Sequence, residues 1–199
     1  MDRLKKKGTI SPVDFSEWAT PIVPIVKQDG TVRICGDYKT TINPVTKLDN
    51  YPIPKTEDLY ATLGGGESYT KLDLSHAYQQ LRLDDKSKKL TTVSTHKGLF
   101  MYNRLCYGLK SAPGIFQRTM ENVLQGVENA IVRIDDILLT GKTRDSHLET
   151  LDKVLDKLGK CGIELNREKC KFLVPEVVYL GHWTNKEGIQ PAEEKVKAN

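Results

Sequence analysis

Residues 68–83, SYTKLDLSHAYQQLRL, decide how the rest of the chain is read. Strand alternation puts Tyr69, Lys71 and Asp73 on one face and Thr70, Leu72 and Leu74 on the other, with Asp73 near the strand's end. A second stretch, AIVRIDDILLTG (130–141), has two short apolar runs around Asp135-Asp136 and predicts a hairpin with the carboxylates at its tip. Magnesium takes oxygen ligands, and two such ions about 3.5–4 Å apart need aspartates from separate rigid elements aimed at one point. Antiparallel neighbours would bring Asp73, Asp135 and Asp136 together. On spacing alone an Asp-Asp pair between apolar runs is usually a polar turn, and a strand-end Asp is often a cap or turn residue.

Working outward, Pro21 to Lys27 and Thr31 to Cys35 read as two strands joined by a turn at Gln28, Asp29 and Gly30, with Lys27 and Arg33 on the arms of a basic hairpin. Pro54 and Thr56 could open a short helix that the glycines at 64 to 66 must end. Ser111 to Val127 has apolar residues at helical spacing, with Ser111 as cap and Pro113 in the first turn. The next helix carries a capping box at Ser146 and Glu149, an apolar stripe at Leu148, Leu151, Val154/Leu155 and Leu158, and a stop at Gly162. CKFLV (170–174) and VVYLGHWT (177–184) suggest a hairpin split by Pro175 and Glu176, and the end, NKEGIQPAEEKVKAN (185–199), is polar.

Bulk properties narrow the class. With 199 residues, 38% hydrophobic and 28% charged, the chain suits one sizeable core or two small subdomains. No stretch approaches the roughly 18 apolar residues that span a bilayer, and the charged start MDRLKKKGTI lacks a signal-peptide core, so an intracellular protein, cytoplasmic or nuclear and not secreted, is expected. A net charge of +4 suits a polyanionic partner without specifying one. Cys35, Cys106, Cys161 and Cys170 form no C-x-x-C pair, so reduced and mostly buried thiols are expected rather than zinc ligands.

Six segments, in order, carry a family resemblance: VRICGDYKTTIN (32–43), YTKLDLSHAYQQ (69–80), LFMYNRLCYGLKSAPGIFQRTM (99–120), IVRIDDILLTG (131–141), LNREKCKFL (165–173) and YLGH (179–182). Together they resemble the reverse transcriptases of LTR retrotransposons, most closely the gypsy type, over about residues 1 to 190. The resemblance implies an α+β right-hand polymerase fold, fingers and palm only, the palm a small antiparallel sheet backed by helices. Fingers would be 1–48 and 81–110, palm 49–80 and 111–187, with 188–199 leading towards an absent thumb. It implies RNA-directed DNA polymerase activity in which Asp73 and Asp135 bind two magnesium ions, with manganese as a substitute, the Leu74 carbonyl is a further ligand, and Asp136 supports the site. Tyr78 would be the steric gate against a 2′-hydroxyl, Lys27 and Arg33 would hold the triphosphate, Tyr107 and Gly108 would meet the nascent pair, and Lys169 would stand near the triphosphate. Leu180, Gly181 and His182 would form the primer grip. Partners would be an RNA or DNA template with its primer and deoxynucleoside triphosphates, with no membrane and an open oligomeric state.

Two departures qualify that picture. The family's Y-x-D-D box has Arg133 in place of tyrosine, which on a regular strand shares a face with Asp135 at roughly 7 Å and could pair with it. Cys106 replaces the usual proline. The sequence also stops beyond YLGH without thumb, RNase H or integrase motifs, which favours an alternative: a catalytically dead retroelement relic that at most binds nucleic acid.

Overall fold

The computed structural model describes residues 1–27, 30–47, 51–63 and 66–192. In chain order the elements are α1 (Asp2–Lys6), β1 (Ile10–Val13), β2 (Thr20–Val26), β3 (Val32–Gly36), α2 (Ile42–Val45), α3 (Thr56–Thr62) and β4 (Ser68–Asp73). They continue through α4 (Asp85–Leu90), β5 (Val93–Thr95), β6 (Gly98–Tyr102), α5 (Ala112–Leu124), β7 (Ala130–Arg133), β8 (Asp136–Gly141) and α6 (Arg144–Lys160). Last come β9 (Lys171–Val174), β10 (Glu176–Tyr179), β11 (His182–Asn185) and β12 (Gly188–Pro191). Two compact units form: Met1–Asn50 with His76–Phe116, and Tyr51–Ser75 with Gln117–Asn199.

The first unit is built on a five-stranded sheet, β1-β6-β5-β2-β3. β2 touches β5 only at Thr20 and Pro21, so β2 and β3 run on as a two-stranded ribbon. Thr20 donates to Thr92 on the β5 side while the Pro21 carbonyl accepts from Asp37 on the β3 side. Beyond Thr20, even-numbered β2 residues thus aim their backbone at the unpaired edge, where the missing N–H of Pro24 leaves no gap in the ladder. The expected strands are found, but Gln28 and Asp29 of the expected turn lie outside the described residues, as do 64–65 of the expected glycine stop and 193–199 of the tail. Tyr38 and Tyr102 are fully buried in this unit's core with Ile10, Val93 and Cys106. The Tyr38 hydroxyl donates to the Thr91 carbonyl at 2.9 Å, which lets a phenol sit there without an unsatisfied donor.

The second unit holds an antiparallel sheet, β7-β8-β4-β9, and a smaller one, β10-β11-β12. Ile137, Leu138 and Leu139 of β8 and Leu72 of β4 are completely buried, as befits the two central strands. Against β8 and β4 lies α6, presenting His147, Thr150, Val154 and Leu158.

Three expectations need correction. The capping box of α6 is Thr143 with Ser146, not Ser146 with Glu149: Thr143 is extended and exchanges hydrogen bonds with Ser146, so the helix starts earlier. Its buried face is rotated accordingly, leaving Leu148 and Leu155 exposed. CKFLV and VVYLGHWT do not pair with one another, because β9 joins β4 and β10 folds onto β11 through a two-residue turn at Leu180-Gly181. The cysteines are free, as expected, but only Cys106 is buried; Cys35 and Cys170 are half-buried and Cys161 is exposed.

Candidate active site

Asp73 ends β4 directly opposite Asp136, the first residue of β8. Its backbone is fixed on both sides: its N–H donates to the Cys170 thiol at 3.4 Å, and its carbonyl accepts from Asn166 at 2.9 Å. One residue on, the Leu74 N–H donates to the Asp135 carbonyl at 3.1 Å, tying the strand end to the β7–β8 turn. Burial raises the Asp73 pKa, opposed by Lys169 and reinforced by the Asp136 and Asp135 charges. The carboxylates therefore repel one another within a partly shielded site.

The β7–β8 turn is two residues long, Ile134 and Asp135, between the paired Arg133 and Asp136. Ile134 has φ 57°, a strained conformation for a β-branched residue. Gln117 of α5, fully buried, holds that turn. Its amide donates to the Val132 carbonyl at 2.9 Å, and its side-chain oxygen accepts from the Ile134 N–H at 2.7 Å. The turn corrects the expectation for Arg133, since the strand ends there and regular alternation does not reach Asp135. The Arg133 Nε is buried with no hydrogen-bond partner.

Lys71, two residues before Asp73, reaches diagonally to Asp136 and makes an ion pair of 3.1 Å. The Tyr179 hydroxyl donates to the Asp136 carbonyl at 3.3 Å, and burial raises its pKa well above the phenol range. Immediately after Tyr179 come Leu180 and Gly181, the β10–β11 turn, and then His182, whose ring meets Tyr60 edge-on at 5.7 Å. Lys169 lies in a short 3-10 helix, Arg167–Lys169, just before Cys170.

In the other unit, the Arg33 guanidinium stacks on Tyr107 at 4.5 Å, Tyr107 lies 5.1 Å from Tyr78, and Tyr78 meets Phe116 at 5.4 Å. The Ile25–Arg33 register and the hydrogen bond from Lys27 to Thr31 keep Lys27 and Arg33 on one face of the ribbon. Gly108 has φ 102°, and its carbonyl accepts from Asn43 at 2.9 Å. Three residues that the sequence reading left without roles thus brace these sites: Gln117, Lys71 and Asn43. A polar residue inside an apolar helical stripe was the available signal for Gln117, and the shared strand face for Lys71.

Hard oxygen donors from a strand end and a turn suit magnesium or manganese in chemistry. Among the described residues, however, no group of three or more His, Cys, Asp or Glu side chains is arranged around one cation position. Lys71 already engages one carboxylate.

Residues 25–184 match the family described as reverse transcriptase (RNA-dependent DNA polymerase). The chain belongs to the reverse transcriptase family. It is 34% identical over 200 residues to the Caenorhabditis elegans uncharacterized protein K02A2.6, covering 100% of this chain and 16% of that protein. It is also 34% identical to the retrovirus-related Pol polyprotein from transposon 297 of Drosophila melanogaster, over 94% of this chain and 18% of the polyprotein. The chain thus spans less than a fifth of these curated relatives. Among solved structures it resembles the foamy viral protease-reverse transcriptase in complex with double-stranded DNA, with a TM-score of 0.92 and 25% identity over 99% of this chain and 34% of that one. A second structure, with RNA/DNA hybrid, gives 0.89 at 24%. The α+β polymerase fold follows from these matches, and no helix among the described residues is long and apolar enough to cross a membrane.

Proposed function

We propose that this chain is the reverse transcriptase domain of a gypsy-type retrotransposon Pol polyprotein and extends a primer with deoxynucleotides on an RNA or DNA template. The observation that carries the reading is the pairing of Asp73 with Asp136 beside the Asp135 turn, inside the family match. In this reading fingers are 1–48 and 81–110 and palm is 49–80 and 111–187, so that 76–80 and 111–116 of the palm fall within the first compact unit.

Asp73, Asp135 and the Leu74 carbonyl would hold two magnesium ions, for which manganese would substitute, and Asp136 would support them. When bound, these ions activate the primer hydroxyl and neutralise phosphate charge. The primer 3′-hydroxyl loses its proton to water as its oxygen bonds to the α-phosphorus and the bond to pyrophosphate breaks, and Lys169 gives the leaving group a proton. Lys27 and Arg33 bind the triphosphate, the latter with a fork suited to phosphate oxygens. Tyr78, propped by Tyr107 and Phe116, lies under the sugar and excludes a 2′-hydroxyl. Tyr107 and Gly108 receive the nascent pair, and Leu180, Gly181 and His182 steady the primer end.

A second reading, nucleic-acid binding without catalysis, is favoured by Arg133, whose buried unpaired Nε stands where the family has tyrosine. Magnesium-dependent extension of a DNA primer on an RNA template, compared for wild type, Asp135→Asn and Arg133→Tyr, tests both. Wild-type extension lost in Asp135→Asn supports the polymerase. Extension that survives Asp135→Asn refutes the metal site, and extension confined to Arg133→Tyr favours the binding-only reading.

A further inference from the structure

We propose that Lys71 is an internal counter-cation, a positioning residue that holds Asp136 while the site is free of divalent ions and competes with them for its carboxylate. This rests on the metal-site reading above and assigns Asp136 a part distinct from those of Asp73 and Asp135.

The strand geometry makes the pairing specific. Asp73 lies directly opposite Asp136, so Lys71 is the diagonal neighbour of Asp136, about 7–8 Å away between backbones. Only a long side chain spans that gap. The pair closes at 3.1 Å, and its two side chains are only 23% and 27% exposed, so solvent screens it less than a surface pair. The Tyr179 ring gives the ammonium a second resting place, 5.9 Å from its centroid. The same Tyr179 hydroxyl donates to the Asp136 backbone, so one residue braces both partners.

The charges of Asp135 and Asp136 oppose that of Asp73, and the Lys71 ammonium offsets the Asp136 charge without a metal. A divalent ion drawing on Asp136 must displace the ammonium, which withdraws towards the Tyr179 ring. The divalent ion thereby meets a built-in competitor, and cation affinity is weaker than the three aspartates alone would give.

A double-mutant cycle on the full chain tests this with wild type, Lys71→Met, Asp136→Asn and the double variant. Methionine keeps the apolar stem and removes the charge. Free Mn2+ is followed by electron paramagnetic resonance during titration. Lys71→Met should tighten Mn2+ binding about fivefold, the factor that a coupling of about 1 kcal/mol produces, and should change nothing in the Asp136→Asn background. Equal tightening in both backgrounds would mean a diffuse charge effect and overturn the proposal, as would weakened binding. Mn2+ binding by no variant would instead overturn the metal-site reading. Melting in EDTA decides the counter-ion role separately. Lys71→Met should melt about 2–4 °C lower than wild type but no lower than its parent in the Asp136→Asn background. An unchanged melt of Lys71→Met overturns the counter-ion role whatever Mn2+ does.

Discussion

Replacing Gly108 with alanine should destabilise the first unit by an amount that can be worked from the backbone. At φ 102° an L-residue is strained, a cost of about 1–3 kcal/mol. An added Cβ would also stand 2.2 Å from the Gly36 carbonyl oxygen, well inside any real contact, so the loop or β3 must move. That movement disturbs the Asn43 clamp, which donates to the Gly108 carbonyl and accepts from the Lys110 N–H, each bond contributing about 1 kcal/mol. The total is about 3–5 kcal/mol, or a melting temperature about 6–20 °C lower for a chain of this size. Gly98 is the internal control, because it has φ 105° but nothing within 4 Å of an added Cβ. Gly98→Ala should therefore suffer the strain without the collision and fall less. Differential scanning calorimetry of both variants reads the difference. If Gly108→Ala melts no lower than Gly98→Ala, the close approach of Gly108 to Gly36 is not as described.

Other consequences follow from buried polar contacts. His147 receives the Thr70 hydroxyl at Nε2 (2.8 Å) while Nδ1–H faces the Ser68 carbonyl (3.1 Å), and Thr70 in turn accepts from Leu173, so the neutral ring fits and burial lowers its pKa. A depressed histidine pKa means the unfolded chain takes up the proton first, so stability is full above about pH 6.5 and falls as pH drops below it, a decline that His147→Gln should flatten in urea titrations. Gln117→Leu strips partners from the Val132 carbonyl and Ile134 N–H and should cost about 2–4 kcal/mol by urea unfolding. An unchanged midpoint would remove Gln117 from the turn's support. Tyr78→Ala should raise ribonucleotide incorporation relative to deoxynucleotide by about tenfold or more in single-nucleotide extension, and an unchanged ratio would deny Tyr78 the gate.

What could be read in the sequence, and what could not, follows from local physics. Period-two alternation around Asp73 survives because β4 is a central strand with Thr70 and Leu72 buried, and the apolar spacing from Ile115 to Leu124 survives in α5. Ser146-x-x-Glu149 misled because a better N-cap, Thr143, precedes it at the same spacing. Pro175 separates strands of two different sheets, and no local pattern distinguishes that from a hairpin. The fate of Arg133 was hidden because isoleucine is among the residues least suited to the positive φ that Ile134 adopts; the neighbouring fold, through Gln117, imposes it. Lys71 was visible on the right face, but its partner depended on a register that only strand pairing supplies.

The polymerase account is tested most directly by adding one deoxynucleotide to a DNA primer on an RNA template, with magnesium or with EDTA, for wild type and Asp73→Asn. The account predicts addition by wild type in magnesium alone, and a fall of about a thousandfold or more in Asp73→Asn, the scale of several kcal/mol of charge stabilisation. Equal addition by both proteins, or addition that persists in EDTA, would contradict it.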